Sequence, residues 1–248
     1  MNFVGNHKIR LNETESTNSS LKNMAKNLLL PEGTLLVTDL QTKGRGQMDS
    51  GWISEEFKNF TGTYLLKPNI ELENSFLINL IISLAVKSVI EDYVSDEKSV
   101  KIKWPNDILI DRKKVAGILI ENQVKSKYIS NSFIGIGINV NQISFPVFKR
   151  KATSIAVETK KHVLIDELTD KLSIHIQQFY MFYKTIGTTT LSKLYSESLY
   201  LIDEWAIYLT PEKEELMLKK VDENGQLILI NKKGEELNFD IKAIKFSK

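Results

Sequence analysis

The chain has 248 residues, of which 42% are apolar and 26% are charged, a composition typical of a globular protein. At roughly 150 residues per domain, this length allows one large domain or a large domain with a small one. The net charge of +2 gives no reason to expect a polyanionic partner. Cysteine is absent, which excludes disulfides, thiol nucleophiles and Cys-based zinc sites and favours a cytoplasmic location.

The sequence predicts neither a secretory signal nor a membrane span. Residues 1–16 lack the apolar core that a signal peptide needs. The longest apolar stretch, residues 76–90, is interrupted by Asn79, Ser83 and Lys87. We therefore expect this stretch to be too short and too polar to cross a bilayer.

Apolar spacing predicts the helices and strands of most of the chain. Leu21, Met24 and Leu28 follow helical spacing, and Ser16 or Thr17 before them is a competent N-cap. The same kinds of pattern, together with glycine and proline signals, predict the other elements. They are a strand at 34–40, a glycine-bearing loop at 41–51, a strand at 61–66, a helix at 74–94, a strand at 133–140 and a helix at 164–183.

Two further patterns predict antiparallel strands. The apolar runs ILI and VAGILIE, separated by a polar turn at 111–114, indicate a β-hairpin. From Trp205 onward, short apolar runs alternate with turn signals, which is typical of a small β-barrel of about 45 residues. We place a domain boundary near Leu199, which gives one domain at 1–199 and a second at 200–248.

Most catalytic signatures are missing from the sequence. It has no P-loop, no GxSxG and no HExxH motif, and its three histidines are not paired at metal-ligand spacing. His175 lies within a predicted amphipathic helix, where a structural role is expected. The GIG of residues 135–137 lacks the third glycine and the following helix of a dinucleotide-binding fingerprint.

Four segments are hard to explain by packing alone, although each has an ordinary alternative. The loop QTKGRGQMDSGW at 41–52 suits phosphate binding, but it is equally typical of a solvated loop. KWPNDIL at 103–109 sets Asn106 and Asp107 at a strand entrance, and its ordinary alternative is a plain turn. In KVAGILIE at 114–121, Lys114 precedes a small-residue pair on an apolar strand, although most such lysines are solvated turn residues. GIGINVN at 135–141 ends a buried strand on asparagines, which is also simple edge capping.

These segments occur in a fixed order, and together with the STN at 16–18 the sequence resembles the biotin protein ligases. The resemblance runs from about residue 7 through the C-terminal region. It implies an α+β fold: a mixed β-sheet flanked by helices, like that of class II synthetases, followed by a small SH3-like β-barrel. The family joins biotin and ATP into biotinyl-5'-adenylate, and a lysine of a carrier protein then attacks the adenylate.

The resemblance also implies roles for individual residues. Bringing a carboxylate against a phosphate requires positioned cations, and losing one is expected to cost about 3 kcal/mol of transition-state stabilisation. The implied catalytic residues are Lys114, Arg45 and Asp107. The implied biotin-binding residues are Ser16, Thr17, Asn18, Gln41, Gly44, Arg45, Gly46, Lys114 and Gly117. The implied ATP- or adenylate-binding residues are Arg45, Gln47, Trp52, Asn106, Lys114 and Asn139. ATP and Mg²⁺ are the implied cofactors, with Asp107 as a candidate metal ligand.

One departure from the family pattern concerns the glycine-rich loop. Many members carry GRGRxGR, whereas this chain has GRGQMDS, with Gln47 and Ser50 at the later basic positions and Asp49 at a common glycine position. Two cations are therefore missing. We expect the loop to hold its adenylate less tightly unless Lys43 compensates.

The expected partner is a biotin carboxyl carrier protein, such as a subunit of acetyl-CoA carboxylase. Only about fifteen residues precede Ser16, too few for a helix-turn-helix, so we expect no sequence-specific DNA binding. We also expect no membrane association. Since the family often dimerises through sheet edges, the resemblance implies a homodimer. A lipoate or octanoate ligase or transferase of the same fold is the nearest alternative. A biotin-binding or nucleic-acid-binding module without catalysis is the alternative from another class, and its sign would be the loss of Lys114 or a basic, aromatic face on the barrel.

Overall fold

The computed structural model describes residues 3–47, 51–146, 151–210 and 212–247. Five α-helices, one short 3-10 helix at Leu72–Asn74 and fifteen strands lie in these ranges. The helices are α1 Thr17–Asn27, α2 Phe76–Glu91, α3 Ile155–Thr159, α4 Ile165–Ile186 and α5 Thr188–Glu197. The strands are β1 Lys8–Thr14, β2 Leu35–Gln41, β3 Gly44–Arg45, β4 Gly51–Trp52, β5 Asn59–Leu66, β6 Ile70–Glu71, β7 Val100–Lys103, β8 Asp107–Ile110, β9 Lys113–Lys125, β10 Tyr128–Asn139, β11 Trp205–Thr210, β12 Glu212–Val221, β13 Leu227–Ile230, β14 Glu236–Phe239 and β15 Lys245–Phe246.

The main sheet is mixed, as predicted. Its strand order is β1-β2-β5-β10-β9-β8-β7, and the short β6 also pairs with β10. Only β1 and β2 pair in parallel; the other described pairs of this sheet are antiparallel. Every residue of the central β5 is buried, so the sheet is covered on both faces.

The strands of this sheet place apolar side chains alternately on its two faces, and helices cover both faces. On one face, Leu36, Leu65 and Phe133 form a small apolar cluster with Leu21 of α1. On the other face, the strands pack against α2 and α4 in the main core. The predicted arrangement of a mixed sheet flanked by helices is therefore confirmed.

Helix α2 is the most apolar helix of the fold. Eleven of its sixteen residues are buried. Contrary to the expectation from sequence, the segment Leu72–Glu91 is long and apolar enough to cross a membrane by length and composition alone. Because 61% of the segment's most apolar stretch is buried within the fold, its apolar character is explained by the core.

The hairpin of β8 and β9 forms as predicted, but its turn is shorter. The turn consists of Asp111 and Arg112, with Asp111 at φ +55°, so that β9 already begins at Lys113. The pairing register then shifts: Ile108 pairs with Ala116 and Leu109 with Lys114. The extra residue between them is a β-bulge, a feature that re-aims neighbouring side chains.

The C-terminal region forms a second, five-stranded antiparallel sheet in the order β14-β13-β12-β11-β15. Its buried side chains belong to the same core cluster as those of the main sheet. The indole N–H of Trp104, before β8, donates to the carbonyl of Gly225 at 3.0 Å. The predicted all-β region is confirmed, while closure into a barrel and the boundary near Leu199 stay predictions.

Candidate active site

A cavity of about 970 Å³ lies between the main sheet and the C-terminal sheet. Most of the residues implied by the sequence motifs line it, although they come from distant parts of the chain. They are Ser16, Thr17, Asn18, Gln41, Arg45, Gly46, Gln47, Trp52, Asn106, Asp107, Lys114 and Gly117. Of the other two implied residues, neither Gly44 nor Asn139 is part of this lining.

The N-terminus of α1 forms one end of the cavity. Ser16 is the N-cap residue, but its side chain makes no capping hydrogen bond, so its hydroxyl group is not used by the helix. The side-chain carbonyl oxygen of Gln41 accepts hydrogen bonds from the backbone N–H of Thr17 at 2.9 Å and from its hydroxyl at 3.2 Å. These buried polar groups suit recognition of a ligand with both donors and acceptors.

Asn18 connects this end of the cavity to the sheet. Its amide nitrogen donates to a carboxylate oxygen of Glu121 at 2.7 Å, and its amide oxygen accepts from the hydroxyl of Thr63 at 2.7 Å. A Cβ atom at Gly135 would overlap the Asn18 side chain, so glycine is needed there for this close approach. Asn18 thus holds the turn rather than offering a free polar group.

Glu121 is the acidic partner of a small cluster beside Asn18. Burial raises the pKa of its carboxyl, but hydrogen bonds from Lys22 and Asn18 and the charges of Lys22 and Arg45 outweigh burial and lower the pKa overall. The Lys22 Nζ atom lies 2.6 Å from the carboxylate. The Arg45 guanidinium lies 3.4 Å from it and also donates to the Ser19 hydroxyl at 3.0 Å. Arg45 is therefore held at the α1 side of the cavity.

Lys114 lies on the floor of the cavity, next to the bulge in β9. Its ammonium lies 2.5 Å from Oδ1 of Asp107, the first residue of β8. The Lys103 ammonium lies 4.0 Å from the same carboxylate. Asn106, just before Asp107, donates through its amide to the carbonyl of Ile118 at 2.8 Å and so fixes the entrance of β8 against β9.

Trp52 covers the centre of the sheet within the cavity. Its indole lies over Gly117 and Gly137, which pair across β9 and β10, and a Cβ atom at Gly137 would overlap the ring. The Lys114 Nζ atom lies 5.6 Å from the ring centroid. The resemblance implied a biotin-binding role for Gly117, and in the structure the Trp52 ring lies against this glycine. The buried indole N–H has no hydrogen-bond partner among the described residues.

The cavity is strongly basic. Its described lining has five cationic side chains but only one acidic side chain, that of Asp107. The cations are Arg45, Lys103, Lys114, Lys213 and Lys245. Lys213 and Lys245 belong to the C-terminal sheet, where each pairs with Leu209. Sequence reasoning missed them because nothing in the local sequence shows that this sheet faces the cavity.

The two implied residues outside the lining have structural contacts. Asn139 donates to the carbonyl of Thr153 at 2.9 Å and is buried. A Cβ atom at Gly44 would overlap the backbone of Trp52, its partner in the β3–β4 pair. Asp49 and Ser50, the other departures in the loop, lie outside the described residues. Sequence reasoning also missed Thr63 and Glu121, which hold Asn18.

Metal-binding side chains are sparse in this region. Within the described ranges, no three His, Cys, Asp or Glu side chains are grouped closely enough to hold a metal ion. Asp107 is the one carboxylate of the described lining, and its two oxygens face lysines. A magnesium ion here would need oxygens from the substrate, as Mg²⁺ bound with phosphates usually has.

Biotin ligases of known sequence and structure are similar to this chain in both sequence and fold. Over 195 residues the chain is 36% identical to the bifunctional ligase/repressor BirA of Bacillus spizizenii, covering 77% of this chain and 59% of that protein. A biotin–[acetyl-CoA-carboxylase] ligase of Paracoccus denitrificans is 29% identical over 130 residues, 52% of this chain and 53% of that protein. The chain thus spans less than two thirds of these curated relatives.

A solved structure of the biotin protein ligase of Aquifex aeolicus in complex with biotin and ATP matches with a TM-score of 0.80 and 28% identity. The match covers 98% of this chain and all of that one. The model of the biotin/lipoate A/B protein ligase family matches residues 11–139, more than half of the chain. The chain therefore belongs to the biotin/lipoate A/B protein ligase family.

Proposed function

We propose that this chain is an ATP-dependent biotin protein ligase. It activates biotin as biotinyl-5'-adenylate and transfers the biotinyl group to a lysine of a biotin carboxyl carrier protein. The observation that carries the proposal is the Lys114–Asp107 pair on the floor of a basic cavity that the α1 turn closes at one end. The names of the relatives support the choice of biotin and of a carboxylase carrier.

The α1 end of the cavity suits the head group of biotin. The ureido ring has two N–H donors and one carbonyl acceptor. Ser16, Thr17 and Gln41 offer hydroxyl and amide groups of both kinds, and the first two are buried. The Thr17 hydroxyl and the Gln41 side-chain oxygen orient each other, and the Ser16 hydroxyl caps no backbone N–H, so this end presents fixed polar groups to a ligand.

The other end of the cavity suits the triphosphate of ATP. When the biotin carboxylate attacks the α-phosphate, two anionic groups meet, and pyrophosphate leaves. The Lys114 ammonium lies where it can neutralise both, while Lys103, Lys213 and Lys245 add positive charge nearby. Such fixed charges stabilise a transition state without having to reorganise as the reaction proceeds.

Asp107 has two chemical uses in this scheme. Before the reaction, its carboxylate holds Lys114 in place. In the second step, the carrier lysine must lose a proton before its amine attacks the mixed anhydride, and Asp107 is the carboxylate in the described lining that can orient it. Mg²⁺ would bind with the phosphates of ATP, assisted by Asp107, and reduce their negative charge.

The test is adenylate formation by the purified protein. With biotin and MgATP, the proposal predicts release of pyrophosphate and a product that contains biotin and AMP. Lipoate in place of biotin is the matched control, because the family includes lipoate ligases. Activation of lipoate without activation of biotin would overturn the proposal. We further propose that the protein is cytoplasmic, forms a homodimer and binds no specific DNA sequence. Sedimentation and DNA-binding measurements test the last two points.

A further inference from the structure

An ionic cluster around a buried carboxylate lies near the hairpin that carries Lys114. Its centre is Glu158 of α3, whose side chain is only 3% exposed. The Lys113 ammonium lies 2.7 Å from one carboxylate oxygen, and the Lys98 ammonium lies 3.0 Å from the other. The Thr153 hydroxyl also donates to Glu158 at 2.6 Å. The Glu158 carboxylate thus holds three groups from three parts of the chain.

The segment 151–154 joins this cluster to the main chain of Lys114. The Lys114 N–H donates to the carbonyl of Lys151 at 3.0 Å, and the N–H of Thr153 donates to the Lys114 carbonyl at 2.9 Å. Both backbone groups of Lys114 are therefore bonded to this segment. The Asn139 amide fixes the segment from the other side through the carbonyl of Thr153.

These contacts hold the side chains of two adjacent lysines on opposite faces of β9. Successive side chains of a strand point to opposite faces, so only one of Lys113 and Lys114 can face the cavity. Glu158 binds Lys113, and Asp107 binds Lys114. A β-bulge follows Lys114 and disrupts the pairing locally. A register slip of one residue would exchange the faces of Lys113 and Lys114, so contacts that fix each lysine on its own face matter here.

We propose that Glu158 is a positioning residue for the adenylation reaction: by holding Lys113 and the segment 151–154, it keeps the Lys114 ammonium aimed into the cavity. The proposal rests on the proposed function only in naming the reaction. Glu158 lies outside the described lining of the cavity and acts through its neighbours. A displacement of Lys114 by about 1 Å would be enough to lower the reaction rate by up to a hundredfold.

The test compares two lysines that bind the same carboxylate. Lys113→Met and Lys98→Met each remove one ammonium from Glu158. Lys98→Met also removes an ion pair with Asp111 in the hairpin turn, but only Lys113 is adjacent to Lys114. Lys113→Met is expected to lower kcat for adenylate formation about tenfold with little change in KM, whereas Lys98→Met leaves kcat unchanged within about twofold. Lys113→Arg keeps a cation for Glu158 and is expected to retain the activity. Equal kcat values for Lys113→Met and Lys98→Met would overturn the proposal.

A second measurement does not depend on enzymatic activity. The folded protein is treated briefly with an amine-acetylating reagent, and acetylation of Lys114 is compared by mass spectrometry with that of Lys125 on the same strand. In Glu158→Gln, the ratio is expected to rise, because Lys114 leaves its pair with Asp107 more often. An unchanged ratio in folded Glu158→Gln would contradict the positioning role. Absence of adenylation by the unaltered protein would instead contradict the proposed function.

Discussion

The Nζ atom of Lys114 lies 2.5 Å from Oδ1 of Asp107, although seven positions of the chain separate the two residues. The β8–β9 hairpin brings them together: Asp107 opens one strand and Lys114 lies near the start of the other. The carboxylate holds the cation at a fixed place on the floor of the cavity. A fixed cation is what the meeting of a carboxylate and a phosphate requires.

Removal of this cation is expected to abolish most of the activity. Lys114→Ala should lower kcat for adenylate formation by at least a hundredfold, the effect of losing about 3 kcal/mol of transition-state stabilisation. The control is Lys125→Ala, an exposed lysine at the end of the same strand. Stopped assays of pyrophosphate release provide the measurement, and equal activity of the two variants would contradict the role of Lys114.

A side chain at Gly137 is expected to displace Trp52. In Gly137→Ala, the new methyl group would overlap the indole that lies over Gly117 and Gly137. We expect weaker binding of biotin and ATP, by about tenfold or more, since overpacking costs about 1–3 kcal/mol. In Gly51→Ala, the nearest atom to the new methyl group is 3.9 Å away, so this variant is the control. Isothermal titration measures both affinities, and similar values for the two variants would argue against the packing of Trp52 on the sheet.

Asn18 is expected to stabilise the α1 turn. Asn18→Ala leaves the buried Thr63 hydroxyl and the Glu121 carboxylate each without one partner. The hydroxyl keeps Thr17 as a partner, and the carboxylate keeps Lys22 and Arg45. The loss is therefore that of the hydrogen bonds alone, and the free energy of unfolding in urea should fall by about 1–3 kcal/mol in total. The control is Asn27→Ala at the last residue of the same helix. It removes only an exposed hydrogen bond from the Asn27 amide to the carbonyl of Asn23 at 3.4 Å, so the free energy of unfolding should hardly change.

The neutral Gln47 is expected to weaken retention of the adenylate. Gln47→Arg restores one cation to the loop and should lengthen the half-life of the enzyme–adenylate complex about tenfold, as one charged hydrogen bond is worth about 1.5–3 kcal/mol. The measurement is the release of radiolabelled adenylate from the purified complex. A half-life that does not change would contradict the expectation that the neutral Gln47 weakens the grip of the loop on the adenylate.

The stability of the protein is expected to depend on Glu158 at low pH. Burial raises the pKa of its carboxyl, but hydrogen bonds from Lys113, Thr153 and Lys98 outweigh burial and lower the pKa to about 2. Since the unfolded pKa is higher, near 4.5, the stabilisation is complete above that pH and is lost as the pH falls towards 2.

The matching measurement is urea unfolding of the unaltered protein and of Glu158→Gln between pH 7 and pH 2. The difference in unfolding free energy should shrink by roughly 3 kcal/mol over this range, since each pKa unit corresponds to about 1.4 kcal/mol. A difference that is the same at both pH values would show that the charge of Glu158 contributes nothing to stability.

Most of the fold follows from local patterns in the sequence. Helix α1, with its N-cap at Ser16, and the β8–β9 hairpin were predictable because spacing and turn residues act locally. The turn of that hairpin was predicted too long, since Lys113 and Lys114 look like turn residues but are already paired within β9. The burial of α2 also follows from its sequence: a helix that is apolar on most sides is expected to lie in a core, and eleven of its sixteen residues are buried.

The candidate site was predictable only where a motif marks it. Lys114 and Asp107 belong to such motifs, and the structure brings them together. Lys213 and Lys245 were missed because they enter the cavity through the packing of the C-terminal sheet. Glu158 and Thr63 were missed for a similar reason: Glu158 lies 45 residues from Lys113, and Thr63 lies 45 residues from Asn18. Contacts of this length depend on tertiary structure.

The most direct test of the central claim is transfer of biotin to a carrier. The purified protein is incubated with biotin, MgATP and a biotin carboxyl carrier domain, and incorporation is followed by the mass of the carrier. The proposed function predicts one biotinyl group on a single lysine, and no transfer by Lys114→Ala. A carrier that stays unmodified with biotin, while lipoate is attached to its own acceptor domain, would contradict it.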